Sequence, residues 1–224
     1  MPIALDHLVV AASTLEAGVA WCEATLGIVP GPGGRHPLMG THNRLLAIAT
    51  AAFPRAYLEI IAIDPQAPAP GRPRWFDLDD AALRAAIARE PALVHWAARC
   101  DDIDAAVASL ARLGIDRGRV IEASRDTPAG RLSWRISVRD DGARLCGGAL
   151  PTLIQWGEVH PVDTMPASGA TLESLVLRGA DVAPLREALS TLGADVRIDS
   201  GAPALVATLN TPRGAVHLRS PIDA

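Results

Sequence analysis

Short apolar runs alternate with amphipathic stretches three times along this chain. Leu5-Asp6-His7-Leu8-Val9-Val10 leads to Leu26-Gly27-Ile28, Leu93-Val94-His95-Trp96-Ala97-Ala98 to Leu113-Gly114-Ile115, and Leu172-Glu173-Ser174-Leu175-Val176-Leu177 to Leu192-Gly193-Ala194. The third residue of each run precedes the glycine by 20, 19 and 19 residues. Spacing held this closely predicts one strand–helix unit used three times. A run that is apolar at odd and even positions alike predicts a strand buried on both faces.

In the first unit Ser13-Thr14-Leu15-Glu16 reads as a capping box, the serine oxygen accepting from the amide of residue 16 while Glu16 reaches back. Leu15, Val19, Cys22 and Leu26 follow at helical spacing, and Gly27 suits the left-handed position past a helix end. Pro30 to Gly40 reads as a loop or edge strand, Leu45 to Ala49 and Tyr57 to Ile63 as strands, Pro65 to Pro73 as a linker and Asp79 to Arg89 as a connecting helix. The second helix opens at Asp101-Asp102, acidic residues at the positive end of its dipole, with strands near 120–124, 132–138 and 150–157. Beyond a second linker, Pro161 to Gly169, a helix over about 182–192 and strands near 196–198, 205–209 and 215–219 complete the chain. The expected fold is α+β: repeated βαβββ modules forming a cupped mixed sheet. Two full modules (about 3–64 and 92–160) make up a domain over 1–162, and a shorter third module covers 168–224.

Composition narrows the function without naming it. The chain has 224 residues, 49% hydrophobic and 21% charged, with net charge −4. No apolar run approaches the roughly 20 residues that span a bilayer, and no basic region precedes an apolar stretch at the N-terminus. Cys22, Cys100 and Cys146 have no metal-type spacing, and their odd count argues against a disulfide framework, so a cytoplasmic location is expected. Every cationic residue is arginine; the absence of lysine is read as the imprint of a GC-rich bacterial genome. The arginines form no stripe, so neither nucleic acid nor membrane is an expected partner. Gly31-Pro32-Gly33-Gly34 lacks the phosphate-loop pattern, and no GxSxG elbow occurs.

The duplicated strand–helix–three-strand unit resembles the vicinal oxygen chelate superfamily. Gly33-Gly34-Arg35-His36-Pro37-Leu38-Met39-Gly40-Thr41-His42-Asn43-Arg44 and Tyr57-Leu58-Glu59-Ile60-Ile61 are similar to its glyoxalase-like domains, as are Arg74-Trp75-Phe76 and Leu153-Ile154-Gln155-Trp156-Gly157. The resemblance covers about residues 3–160. It implies a cup holding a metal or small ligand, with metal ligands on the first and last strands of each module: His7, Glu59, His95 and Gln155. Such a set suits a divalent Zn, Ni, Mn or Fe. Gln155 is neutral and cannot act as a base. The matching slot in glyoxalase I and in ring-cleaving dioxygenases resembles glutamate, which disfavours both activities here. In the third unit the matching positions, Ser174 and His217, read as structural.

Parity supports Glu59 independently, because Tyr57, Glu59 and Ile61 share one strand face. A carboxylate on an apolar strand needs a cation or hydrogen-bond donors. The alternative to a metal is a polar pocket in which His7 and His95 bond Glu59 or backbone. His36 and His42 flank Gly40, whose backbone freedom would let both rings face the cup as proton carriers or substrate contacts, or else as loop stabilisers. The expected catalytic set is Glu59, His42 and His36; the expected substrate contacts are Asn43, Arg44, Trp75, Gln155 and Trp156. The function implied is a metal-dependent isomerase or lyase acting on a small oxygenated metabolite. The alternative is a metal-free protein that binds or sequesters a small molecule in a tryptophan-lined cup. An odd third module must cap the cup, extend the sheet or pair across a homodimer.

Overall fold

The computed structural model describes residues 2–127 and 130–221. Among them are twelve strands and four α-helices in the order expected for α+β βαβββ modules. The first module is β1 (Ala4–Ala11), α1 (Leu15–Leu26), β2 (Arg35–His36), β3 (Thr41–Ala47) and β4 (Tyr57–Ile63). Helix α2 (Ala81–Arg89) leads to the second: β5 (Ala92–Arg99), α3 (Ile103–Arg112), β6 (Arg119–Thr127), β7 (Gly130–Val138) and β8 (Thr152–Trp156). The third is β9 (Thr171–Gly179), α4 (Ala183–Thr191), β10 (Arg197–Ser200), β11 (Ala204–Thr211) and β12 (Gly214–Arg219).

The repeat glycines do the same work in all three units. Gly27, Gly114 and Gly193 have φ of 73°, 74° and 65°, the left-handed region that an L side chain enters at a cost. The capping box is displaced by one residue: Thr14, not Ser13, caps α1 and accepts from the Ala17 amide. Helix α3 starts as its sequence suggests, with Asp102 accepting from Ala105 N.

Two modules make one eight-stranded sheet in the order β2-β3-β4-β1-β5-β8-β7-β6. The order is a palindrome of module positions, joined where β1 runs antiparallel to β5, and in each half the first strand lies parallel to the last. The third unit keeps the element order but not the wiring. Its four-stranded sheet runs β10-β9-β11-β12, so its first strand is flanked by the second and third instead of pairing with the last.

The third unit neither caps the cup nor extends the large sheet. Its inward leucines, among them Leu172, Leu175, Leu205 and Leu209, share one buried cluster with Leu8, Val10, Leu93 and Trp96 on the helix-covered side of the large sheet. Trp96 is fully enclosed there, and its indole N–H donates to Ala149 O at 2.9 Å. A second cluster, including Val9, Ile61, Val94, Ala97 and Ile154, lines the opposite, concave side. No helix of the described residues is long and apolar enough to cross a membrane.

Candidate functional site

Two irregularities in the β1–β5 ladder build the concave face. The register slips between Leu5 and His7, and again between Val9 and Val10. A bulge sets two residues against one on the partner strand, which breaks the side-chain alternation. Leu5 and Leu8 therefore pack on the helix side, while Asp6 and His7 both join the polar groups of the cup. The second slip places Val94 beside His95 in the same way.

Asp6 is wholly buried and accepts three hydrogen bonds: from His7 Nδ1 at 2.7 Å, His160 Nε2 at 2.9 Å and Trp156 Nε1 at 3.0 Å. Burial alone would raise its pKa, but the bonds from His160 and His7 overcome that and hold the carboxyl well below the usual range. Burial pulls the His7 pKa down, while the Asp6 bond and the charges of Asp6 and Glu59 push it up, and the net direction is up. With Nδ1 tied to Asp6, Nε2 of His7 faces Glu59 Oε2 at 3.6 Å, and Tyr57 stacks on the ring with centroids 4.6 Å apart.

Glu59, from the middle of β4, is buried and held from the other side. Asn43 Nδ2 donates to its Oε1 at 2.6 Å and lies 3.3 Å from His36 Nε2. The Asn43 amide is oriented by Gly34 N–H, which donates to Oδ1 at 2.7 Å. His36 Nδ1 bonds Thr41 Oγ1 at 3.0 Å, leaving Nε2 to accept from Asn43. Burial lowers the His36 pKa to about 4, so this imidazole is neutral near pH 7. Gly33 and Gly34 gain a meaning their sequence pattern did not supply. A Cβ on Gly33 would lie 2.0 Å from Asn43 O, and one on Gly34 would lie 2.0 Å from Arg125 Nη1.

Trp75 and Phe76, in a 3₁₀ turn ahead of α2, close the cup. Trp75 meets His36 edge-on at 5.1 Å; Phe76 stacks on Trp75 and reaches His95 at 5.1 Å. Phe76 and Asp77 hold φ of 62° and 57°, side by side in the left-handed region. Asp77 is fixed there by Arg144 Nε at 2.8 Å, and its amide bonds Gly142 O. What remains between His7, Asn43, Glu59, Trp75, Trp134 and Trp156 is a cavity of about 40 Å³.

The four expected metal ligands do not meet. His7 and Glu59 are neighbours, but His95 lies beyond Phe76, where Nδ1 bonds Gly148 O at 3.1 Å and Nε2 accepts from Thr152 N at 3.0 Å. Burial, with Arg117 and Arg144 nearby, holds its pKa well below the ordinary value. Gln155 alternates with Ile154 and Trp156, so it leaves the cup, and its Oε1 accepts from the amide of Ile103 at the start of α3. The three groups that do converge are His7, His36 and Glu59, yet the Asn43 NH₂ sits on Glu59 Oε1 and against His36 Nε2, leaving His7 Nε2 and Glu59 Oε2 as the open donors, fewer than the three protein ligands of a typical catalytic site. Among the described residues no group of three or more His, Cys, Asp or Glu side chains is arranged to hold a metal ion. The donor set as placed does not fit one.

Of the other expected residues, His36, Asn43, Trp75 and Trp156 belong to the cup. His42 and Arg44 alternate with Asn43 on β3 and sit on the other face, within electrostatic reach of Glu16 on α1. Arg74 pairs with Asp79 at 2.6 Å. Ser174 and His217 both oppose Thr208 in the small sheet, His217 Nδ1 lying 3.1 Å from its hydroxyl, far from the cup in the chain's wiring. Sequence reasoning missed Asp6, His160 and Arg125. The signal for Asp6 was present, because a carboxylate inside an apolar strand needs partners.

A model of the glyoxalase-like domain matches residues 5–193, running through both modules into the third unit as far as the glycine after α4. No curated protein matches the chain. Among solved structures, a hypothetical protein from Staphylococcus aureus is 16% identical, with 90% of this chain and 87% of that one covered and a TM-score of 0.60, which shows a shared fold. A variant of Streptomyces coelicolor methylmalonyl-CoA epimerase, in complex with 2-nitronate-propionyl-CoA, is 20% identical, covering 69% of this chain and 98% of that one at a TM-score of 0.43. The Mycobacterium tuberculosis methylmalonyl-CoA epimerase is also 20% identical, covering 71% and 91% at 0.39. With the module palindrome, the cup and the match over most of its length, the chain belongs to the glyoxalase-like domain family.

Proposed function

We propose that this protein is an isomerase or lyase that moves a proton at a carbon next to a carbonyl group of a small oxygenated compound, with Glu59 as the base. One observation carries the reading: a buried carboxylate at the centre of the cup, positioned by Asn43 and faced by the rings of His7 and His36. Glu59 Oε2 is the atom that takes the proton. Asn43 fixes Oε1, so the carboxylate approaches the substrate in one orientation. His7, oriented by Asp6, points Nε2 at Glu59 Oε2, and its protonated form, which Asp6 and Glu59 favour, offsets the negative charge that Glu59 carries before transfer and that the substrate oxygen acquires after it. Neutral His36 accepts from Asn43 and keeps that amide from turning. Trp75 and Phe76 exclude water. No step passes through a metal: Asn43 is bonded to Glu59 Oε1 and lies against His36 Nε2, which leaves only His7 Nε2 and Glu59 Oε2 as open donors.

The test is solvent exchange. A panel of 2-oxo acids, β-keto acids and acyl thioesters is incubated with protein in D₂O, and deuterium entry next to the carbonyl is followed by NMR. Glu59→Gln is expected to slow exchange by about 10²–10⁴-fold; exchange that persists in this variant overturns the assignment. Elemental analysis of protein made without a metal-affinity tag accompanies it. One metal ion per chain, lost in His7→Ala, would overturn the metal-free reading.

The second reading, a binding or sequestering protein, is favoured by the aromatic walls, where Trp134 and Trp156 lie 5.5 Å apart beside the cavity. Ligand-dependent tryptophan quenching with no exchange at any carbon would select it.

A further inference from the structure

A cavity of about 40 Å³ holds a reacting head group and little more. A groove of about 470 Å³ opens directly beside it, walled by Val29, Pro32, Ala47, Leu132, Met165 and Ala167. That volume falls within the ~300–1,000 Å³ of small-molecule sites, and the lining is mostly apolar. Val29 is 63% exposed, one of only two large hydrophobic side chains left so among the described residues. Leu45, Arg125 and Pro161 line both spaces, so the groove and the cup adjoin across these three side chains.

The junction carries a charge. Arg125 projects from β6 over Gly34, where any Cβ would displace its guanidinium. Its Nη1 is buried and has no hydrogen-bond partner among the described residues. Its positive charge is felt by His36 and Tyr57, both of the cup. A buried guanidinium nitrogen without an acceptor is costly unless a ligand supplies one.

We infer that the groove is the tail subsite of this protein, taking the unbranched apolar chain of an acyl compound whose carboxylate or carbonyl oxygen meets Arg125 at the mouth of the cup. The inference rests on the reading of the Glu59 cup as the reacting end. The polar atoms of such a substrate are gathered at one end, which matches one cationic junction and one apolar trough. The segment from Pro161 to Ser168 supplies one wall, so a stretch that reads as a linker is part of the site.

Butanoate, hexanoate, octanoate, decanoate and octan-1-ol are titrated against the full chain, with tryptophan fluorescence as the signal. Affinity for the carboxylates is expected to rise about fourfold per added methylene, with octan-1-ol binding at least about tenfold more weakly than octanoate. Arg125→Gln removes the difference between octanoate and octan-1-ol. Ala167→Trp, at an exposed position that tolerates bulk, flattens the dependence on chain length while butanoate binding is retained. Affinity that does not grow with chain length, or growth that survives Ala167→Trp, overturns the proposal. The two readings fail separately. Chain-length dependence in a protein whose proton exchange ignores Glu59→Gln leaves the subsite standing and removes the base; Glu59-dependent exchange with no chain-length dependence does the reverse.

Discussion

Asp6 accepts a 2.7 Å hydrogen bond from the ring of His7, the residue that follows it on the same strand. Consecutive residues of a regular strand point to opposite faces, so the bond exists because of the bulge in β1. Removing the carboxylate leaves three buried donors, on His7, His160 and Trp156, without their acceptor. Asp6→Ala is expected to cost about 3–5 kcal/mol in urea unfolding. In the milder Asp6→Asn variant the His7 pKa falls, read by NMR titration of its ring protons. An unshifted His7 in that variant would contradict the role given to Asp6.

Acid should destabilise the protein through His36. Its folded pKa, about 4, lies below the unfolded value of 6.5, so between these pH values the unfolded chain binds more protons. The stability it supports is complete above about 6.5 and is lost as pH falls toward 4, a change of order 3 kcal/mol. His7 acts with the opposite sign. Its folded pKa is raised, so its contribution is complete below 6.5 and is lost as pH rises through the folded value. Stability against pH is expected to form a dome near pH 6.5. His36→Asn should reduce the acid limb and leave the alkaline one, the remainder of the acid limb coming from His95, whose pKa burial also depresses; an acid limb that keeps its full slope in that variant would place the proton uptake elsewhere.

Two neighbouring glycines are expected to respond differently to the same substitution. In Gly33→Ala the new methyl meets the Asn43 backbone oxygen at 2.0 Å, in a strand that cannot yield, and the cost is roughly 1–3 kcal/mol. In Gly34→Ala the obstacle is the Arg125 guanidinium, which can swing away, and stability changes by under about 1 kcal/mol. Thermal unfolding of the two variants checks this, and equal losses would contradict it.

Gln155 is expected to act on α3 and not on chemistry. Its Oε1 satisfies the Ile103 amide in the first turn, so Gln155→Ala should cost about 1 kcal/mol, as the loss of a helix cap does. Deuterium exchange by the variant should match the parent. A hundredfold loss of exchange without loss of stability would return Gln155 to the site.

Much of this architecture can be read from residue order, and the exceptions have physical causes. Strands show themselves as apolar runs, and β4 begins and ends at the residues its pattern marks. Parity places Glu59 on the cup face correctly because β4 is regular. It fails in β1 and β5, where a bulge shifts the alternation, a local change in twist with no composition signature here. Repeat matching pairs His7 with His95 by position, but Phe76 stands against His95 on the near side, and that contact comes from a linker outside the repeat. Gln155 followed the family pattern, whereas simple alternation with Ile154 and Trp156 would have sent it to the helix side. His160 lies 154 residues from Asp6, and no local pattern announces such a bond. The third unit's element order was legible; its wiring was not, since strand order depends on which edges stay open when the segment folds.

The small sheet lies against the same core as Leu8, Val10 and Trp96, a patch that would otherwise face water. Exposed apolar areas of that kind serve as association surfaces or aggregation liabilities. The chain thus supplies in cis a cover that a two-module sheet would have to obtain in trans. One polypeptide carries both the reaction vessel and the partner for its back wall, and the concave mouth is left free to meet ligands.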